Sequence, residues 1–377
     1  MKIGSAFVEF GDALARAQGG APLHADEMRA AIGFILRGEA DDDQIAEFLS
    51  GLADRGETPE EIAAAADAMR AHALKIDAAE DVIDTCGTGG DGADTLNIST
   101  AAALIAAGAG ARVAKHGNRA VSSKSGSSQA LAALGLRLDA PRPVLEKALA
   151  EANIAFLYAP QHHPAMKHAA AARAKLGRRT LFNLLGPLAN PAGARRQLIG
   201  AYGRDLLEPM AEALGRLGAE HVWVVHGADG LDELTTTDKS FVAEWRDGRL
   251  SSFEIAPEDV GLARAAPDRL RGGGPDENAA AIARLLGGTE FVAEIAEKYR
   301  NGDEKFVEIA QKLTGPALAA YRDIVLLNAA AALIVAGKAA DLPAGIARAR
   351  AALDSGAAMT ALRVMIEISN EDFRVND

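Results

Sequence analysis

The stretch DTCGTGGDGADTLNISTAAALIAAGAG, residues 84–110, runs on into ARVAKHGNRAVSSKSGSSQ, residues 111–129, and together they decide the fold. They read as two strand–loop–helix units in series. Val82-Ile83-Asp84-Thr85-Cys86 is short, apolar and partly β-branched, as a buried strand is. Gly87-Thr88-Gly89-Gly90-Asp91-Gly92 follows. Glycines at that density let the backbone take positive φ and bring N–H groups close to a ligand. Asn97-Ile98-Ser99-Thr100 then opens an Ala-rich helix. Its first N–H groups have no intrahelical partner and its dipole favours an anion. The second unit repeats the plan, with a strand at Arg112-Val113-Ala114, a polar loop from Lys115 to Ser128, and a helix starting near Ser127.

Two neighbouring strands of one parallel sheet thus carry Lys115, His116, Asn118, Arg119 and Lys124, with hydroxyls at Thr88, Thr95, Ser99, Thr100, Ser122 and Ser123. Tight turns need glycine. They do not need cations and hydroxyls gathered at the carboxyl ends of strands, where α/β sheets bind their ligands. The pattern points to an anionic, polyphosphate ligand. It is not a P-loop, because G-x-x-x-x-G-K-[ST] is absent, and its glycine spacing misses G-x-G-x-x-G.

The 377 residues suffice for one large domain or two modest ones. Lys plus Arg number 40 against 52 Asp plus Glu, a net charge of −12. That disfavours non-specific binding to nucleic acid or an acidic membrane, so a phosphate must be held by local cations, N–H groups and metal. Cys86 stands alone, which excludes an intrachain disulfide and fits a reducing compartment. The N-terminus lacks the apolar core and cleavage site of a signal peptide. The apolar run Val325–Ala336 reads as too short to span a bilayer and as a buried helix. A soluble, cytoplasmic protein is expected.

Residues 1–77 read as helices only. Asp41-Asp42-Asp43 can cap a helix reaching about Asp54, and Thr58-Pro59-Glu60-Glu61 is a capping box with proline at its first helical position. From Asp81, strands near 82–86, 112–115, 154–158, 197–202 and 221–226 alternate with helices, as in a parallel sheet. The stretch 163–190 interrupts this with a helix from His163 to about Leu176 and a rigid bend at Gly186, Pro187 and Pro191. Phe241–Trp245 and Leu250–Ile255, joined by Asp247-Gly248, read as a hairpin, and helices close the chain from about Asp276. The expected class is α/β: a small all-helical N-terminal domain beside a larger α/β domain with a central, mainly parallel sheet flanked by helices. Asp232-Glu233, on the loop after the strand 222–226, faces the same end of the sheet. Adjacent carboxylates with hydroxyl neighbours suit Mg²⁺, which keeps waters and bridges few carboxylates to substrate phosphates.

GTGGDG, NIST, KHGNR and SSKSGSS, in this order and spacing, resemble the anthranilate phosphoribosyltransferase family of tryptophan biosynthesis. The resemblance runs from the helical N-terminus to about Glu367. It implies transfer of the 5-phosphoribosyl group of 5-phosphoribosyl-1-diphosphate to the amine of anthranilate, releasing diphosphate. It implies contacts to that phosphoribosyl donor from Gly87, Gly90, Asp91, Thr95, Asn97, Ile98, Ser99, Thr100, Lys115, His116, Gly117, Asn118, Arg119, Ala120, Val121, Ser122, Ser123 and Ser127. Which loop holds which phosphate stays open. Gly87, Asn118, His163 and Arg173 match the family's anthranilate side, with Arg173 toward the carboxylate, where a planar guanidinium can form two parallel hydrogen bonds. Ser99, Asp232 and Glu233 match metal ligands for two Mg²⁺ per monomer. Lys115, Asn118 and Arg173 are the residues implied for catalysis, by positioning and by stabilising charge on the leaving diphosphate. An aryl amine is neutral at physiological pH, so no strong base is required.

The resemblance further implies that residues 1–77 form a helical domain completed by a returning segment near 163–192, that 78–377 form the donor-binding domain, and that the site lies between them. It implies a homodimer. Some members join a glutamine amidotransferase, and an anthranilate synthase partner is left open. Two other readings share this fold. A pyrimidine nucleoside phosphorylase lacks KHGNR and needs no metal pair. A non-catalytic nucleic-acid-binding relative needs a basic surface, against the charge of −12. The chain departs from the family pattern between Leu286 and Tyr321, where FVAEIAEKYRNGDEKFVEIAQKLTG reads as an added, solvated helical pair.

Overall fold

The computed structural model describes residues 3–119 and 124–371. The chain opens with four helices, Ile3–Gln18, Ala25–Leu36, Asp42–Arg55 and Pro59–Ala71. Both expected N-caps form. Asp41 accepts from the Gln44 N–H, and Thr58 accepts from the Glu61 N–H with Pro59 in the first turn. Glu61 does more than close its capping box. It is fully buried, and its carboxylate accepts from the Leu23 and Thr58 N–H groups, the Thr58 hydroxyl and the Arg55 guanidinium. Burial works to raise its pKa, but these donors outweigh it and hold the group below its ordinary value.

Seven strands form one sheet in the order β3-β2-β1-β4-β5-β6-β7. They are β1 Ile83–Asp84, β2 Val113–Gly117, β3 Ile154–Tyr158, β4 Arg196–Gly200, β5 His221–Gly227, β6 Ser240–Arg246 and β7 Arg249–Ile255. The first five pair in parallel, and the β6–β7 hairpin, turning at Asp247-Gly248, adds two antiparallel strands. The chain moves outward from β1 through β2 to β3, then returns to place β4 on β1's other side. The crevice beyond the carboxyl ends of β1 and β4 is therefore the topological switch point, where such sheets take their ligands.

One face of the sheet packs against helices Ile98–Gly108, Pro275–Tyr299, Gly315–Val335 and Ala357–Ser369. On the other face, the helices of the N-terminal quarter share an apolar core with Phe182, Leu185 and Leu188, with helix Leu207–Arg216, and with Ile199, Val222 and Val224 of the sheet. Gly315–Val335 spans 21 residues and, among the described residues, is the one helix long and apolar enough to cross a membrane, with 72% of its apolar window buried inside the protein. The run Val325–Ala336 is thus part of a longer helix than its sequence suggests, and that helix is central to the core.

Three other local expectations change. His163 to Leu176 is not one helix: a 3₁₀ turn, Pro164–Ala169, precedes helix Ala170–Leu176. Pro187 does not stand outside a helix but lies inside helix Phe182–Leu188, past the first turn, so it removes the i→i−4 bond to the Asn183 carbonyl, and the helix ends one residue later. The charged pair of helices is not simply solvated. Phe291, Val292, Ile295, Ala296, Phe306 and Ala310 are buried, and Arg300 donates to the Ala133 carbonyl at the end of helix Ser127–Ala133. This segment braces the helix that follows the second polar loop.

Candidate active site

The site assembles where β1 and β4 end. Past β1 the chain makes one more parallel bridge, Gly87 to Gly200, and the Thr88 N–H donates to the Gly200 carbonyl. The glycine loop then turns through positive φ at Gly89, Gly90 and Gly92 (64°, 80° and 70°), conformations that side-chain-bearing residues rarely adopt. It ends at Asn97, the residue before helix Ile98–Gly108. Asn97 does not cap that helix. Its Oδ1 accepts from Asn278 and its carbonyl from the Tyr321 hydroxyl. The cap comes from elsewhere: Glu233 Oε1 accepts from the Ser99 N–H at 3.0 Å, placing a carboxylate at the positive end of the helix dipole.

Asp232 faces the loop in the same way, its Oδ2 accepting from the Gly89 N–H at 2.9 Å. The acidic pair is held from behind by Asn328, whose amide accepts from the Leu234 N–H and donates to the Leu234 carbonyl. Gly200 is required at this junction. A Cβ there would lie 1.6 Å from the Asp232 carbonyl oxygen. Burial raises the pKa of both carboxyls. Asp91 adds to the rise at Asp232, and Asp232 adds to it at Glu233. Both residues are half-buried.

Lys115 projects from β2 into this group and is 3% exposed. Its Nζ donates to the Thr85 carbonyl at 2.6 Å and lies 3.4 Å from Ser99 Oγ. Burial lowers its pKa, while Asp84, Glu233 and Asp232 pull it back up. Asp84, also fully buried, accepts from the Thr85 and His116 N–H groups and from the Asn190 amide. Asn190 donates as well to the Ala114 carbonyl. Burial raises Asp84, and the Asn190 amide and Lys115 oppose that rise. An anchored network thus ties β1, β2 and the segment ending in GPLANP together beneath the two loops.

The predicted residues do not all stand alike. Gly87, Gly90, Asp91, Ser99, Lys115, Asp232 and Glu233 gather at the crevice, whereas Thr95 bridges Arg271 and its carbonyl accepts from the Asn278 amide. Ile98 and Thr100 bury their side chains beneath the loop at 2% and 1% exposure, so what they can offer a ligand is backbone N–H. Gly117, Asn118 and Arg119 carry the second loop outward, the Asn118 Oδ1 accepting from the Arg119 N–H and the Asn118 carbonyl lying 3.5 Å from Ser127 Oγ. Ala120, Val121, Ser122 and Ser123 lie outside the described residues. His116 and His163 meet each other, ring centroids 5.1 Å apart, and burial lowers them to about 3 and about 4, so both are neutral at pH 7. The Arg173 guanidinium lies 5.7 Å from the Phe182 ring centroid, with no carboxylate partner among the described residues. Among the described residues no hydrogen bond joins Arg173 to Asn118.

Sequence reading alone misses Asp84, Asn190, Asn328, Tyr202 and Arg179. The first three carry a signal, since each is a polar residue inside an otherwise apolar stretch. Tyr202 and Arg179 carry none. Arg179 reaches the Gly90 carbonyl and Tyr202 stacks on Arg179, both across long separations in the chain.

A glycosyl transferase family model for the α/β domain matches residues 79–297 and 294–359, and the model for that family's helical bundle domain matches residues 12–73. Anthranilate phosphoribosyltransferase of Rhodospirillum rubrum is 51% identical over 93% of this chain and 92% of its own. The chain belongs to the anthranilate phosphoribosyltransferase family. A crystal structure of the family member from Thermus thermophilus superposes with a TM-score of 0.83 at 41% identity, covering 96% of this chain and all of its own (100%). The Saccharomyces cerevisiae anthranilate phosphoribosyltransferase in complex with PRPP and Mg superposes with a TM-score of 0.80 at 27% identity, covering 97% of this chain and 98% of its own.

Proposed function

We infer that this chain transfers the 5-phosphoribosyl group of 5-phosphoribosyl-1-diphosphate to the amine of anthranilate, giving N-(5-phosphoribosyl)anthranilate and diphosphate for tryptophan biosynthesis. The observation that carries the reading is the meeting of Lys115, Ser99, Asp232, Glu233 and the glycine loop at the switch point between β1 and β4. It gathers what a diphosphate leaving group needs at one end of the sheet: N–H donors, a cation, and carboxylates for its counter-ion.

The donor set fits Mg²⁺. Among the described residues no three His, Cys, Asp or Glu side chains form a self-contained metal cage. Two carboxylates and a serine hydroxyl remain, as suits an ion completed by water and substrate phosphates. Bound there, Mg²⁺ supplies charge neutralisation to the leaving diphosphate. Ser99 and the Asp232–Glu233 pair would hold two ions per monomer.

The protein's own groups do the rest. Glycine-loop N–H groups and the first turn of Ile98–Gly108 receive phosphate oxygens. Lys115 opposes the charge developing on diphosphate as the ribose C1 becomes oxocarbenium-like. Arg173, with Asn118, receives the anthranilate carboxylate and sets the neutral amine for in-line attack. His116 and His163, neutral and packed together, shape the wall beside it without adding charge.

The division at residues 77/78, the return of 163–192 to the helical part, a homodimer and a cytoplasmic location belong to the same proposal. The shared core of Phe182 and Leu188 with the first four helices supports the return.

Steady-state kinetics test the roles. Asp232→Asn/Glu233→Gln raises the Mg²⁺ concentration needed for half-maximal rate, and Arg173→Ala raises KM for anthranilate more than KM for the donor. A folded wild type that leaves anthranilate untouched but cleaves uridine with phosphate overturns the reading.

A further inference from the structure

Neither the transfer chemistry nor the roles above use Arg179 and Tyr202. Arg179 sits between the helical part of the chain and the glycine loop. Its neighbour Arg178 pairs with Asp54 of helix Asp42–Arg55 at 2.6 Å. The Arg179 Nη2 reaches the other way and donates to the Gly90 carbonyl. The Arg179 guanidinium lies over the Tyr202 ring, 3.8 Å from its centroid, and Tyr202 is rooted in the site because its N–H donates to Thr88 Oγ1. No carboxylate pairs with Arg179 among the described residues.

The loop needs such a holder. Three of its residues are glycines at positive φ, which restrict the backbone least of all residue types. Its inner end is tied through the Thr88 and Gly89 N–H groups to Gly200 and Asp232. Gly90, at the turn itself, is tied by Arg179. Only a planar guanidinium can lie flat on an aromatic ring and still direct an N–H in its own plane at a carbonyl; an ammonium is a point charge without that geometry.

We propose that Arg179, clamped on Tyr202, is a positioning residue for the phosphoribosyl donor: it fixes the Gly89–Gly92 turn so that the loop's N–H groups face the diphosphate before it binds. This rests on the reaction inferred above. Arg179 acts through the loop and does not touch anthranilate, so its loss appears in one substrate's KM and not the other's.

Two measurements test it. In steady-state assays Arg179→Ala raises KM for 5-phosphoribosyl-1-diphosphate about tenfold, the worth of one exposed cation–π contact with one hydrogen bond, and leaves KM for anthranilate unchanged. Arg179→Lys does not restore it. Tyr202→Leu gives a similar rise, and the double variant is no worse than either single one. Hydrogen exchange of the peptide covering residues 87–93, read by mass spectrometry without any substrate, is faster in Arg179→Ala by at least about fivefold, while the melting temperature stays put, as for other exposed substitutions. Unchanged donor KM, full rescue by lysine, or unchanged exchange in the 87–93 peptide overturns the proposal. The exchange experiment needs no turnover, so an inactive wild type counts against the reaction and leaves Arg179 still testable.

Discussion

Replacing Lys115 by methionine keeps the length of the side chain and removes the ammonium that stands among Asp84, Asp232 and Glu233. The Thr85 carbonyl loses a buried donor at 2.6 Å, and three carboxyls lose their common counter-charge. Nζ contacts the Thr85 carbonyl and Ser99 Oγ, and the carboxyls act on it only through their charge, so the cost of breaking a direct buried ion pair, about 3–5 kcal/mol, is an upper bound. Unfolding entropy scales with chain length, so for this chain each kcal/mol corresponds to a little over about 1 °C, and the melting temperature should fall by up to about 6 °C. The sign with pH follows from the carboxyls. Burial holds all three above their ordinary values, Asp232 at about 7 and Glu233 at about 8, so these two gain protons in the folded state as pH falls from 8 to 5.5. Less negative charge is then left uncompensated, and the deficit of the variant shrinks. Calorimetry in EDTA at pH 8 and pH 5.5, wild type beside Lys115→Met, reads both the size and the trend. The inferred role beside the leaving diphosphate adds a loss of about 10²–10³ in kcat. An unchanged melting temperature at pH 8, or a deficit that grows as pH falls, refutes the electrostatic reasoning.

Three further outcomes follow from the geometry. His116 and His163, lowered to about 3 and about 4, refuse protons that the unfolded chain accepts below about 6.5, so the folded state is favoured above that pH and loses stability as pH falls toward 4. Going from pH 7 to 5 costs up to about 2 kcal/mol per histidine, and urea unfolding of His163→Gln should show a correspondingly shallower pH dependence than wild type. Gly200→Ala drives a methyl into the Asp232 carbonyl; it should cost roughly 3 kcal/mol or more and weaken the stabilisation that Mg²⁺ gives in thermal melts. Arg300→Ala removes the partner of Asp276 and Asp303 and the donor to Ala133, and should lower stability by roughly 2–4 kcal/mol in denaturant titration.

Much of this architecture is legible because it is local. The strand before GTGGDG, the Ala-rich helix after it, the caps at Asp41 and Thr58 and the Asp247-Gly248 turn all depend on residues a few positions apart. The place of Asp232 and Glu233 beside the glycine loop is legible from their position after β5. What is not legible is what the fold brings together. Nothing in the sequence near Gly200 announces that the 232 backbone approaches within contact of it. Nothing near Arg179 announces Gly90. Pro187 reads as a breaker because a proline past the first turn loses a backbone bond, yet a short helix runs through it and ends only at Leu188. The segment 291–315 reads as solvated by its charges, although Phe291, Val292, Ile295 and Ala296 recur at helical spacing and form the buried stripe that seats it.

The most direct test of the central claim is ³¹P NMR of the purified protein with 5-phosphoribosyl-1-diphosphate and Mg²⁺, with and without anthranilate, following anthranilate fluorescence in the same sample. The account predicts that diphosphate appears only when anthranilate is present, one molecule for each anthranilate consumed, and that EDTA stops both. Diphosphate released equally without anthranilate, or no release at all from folded protein, contradicts it.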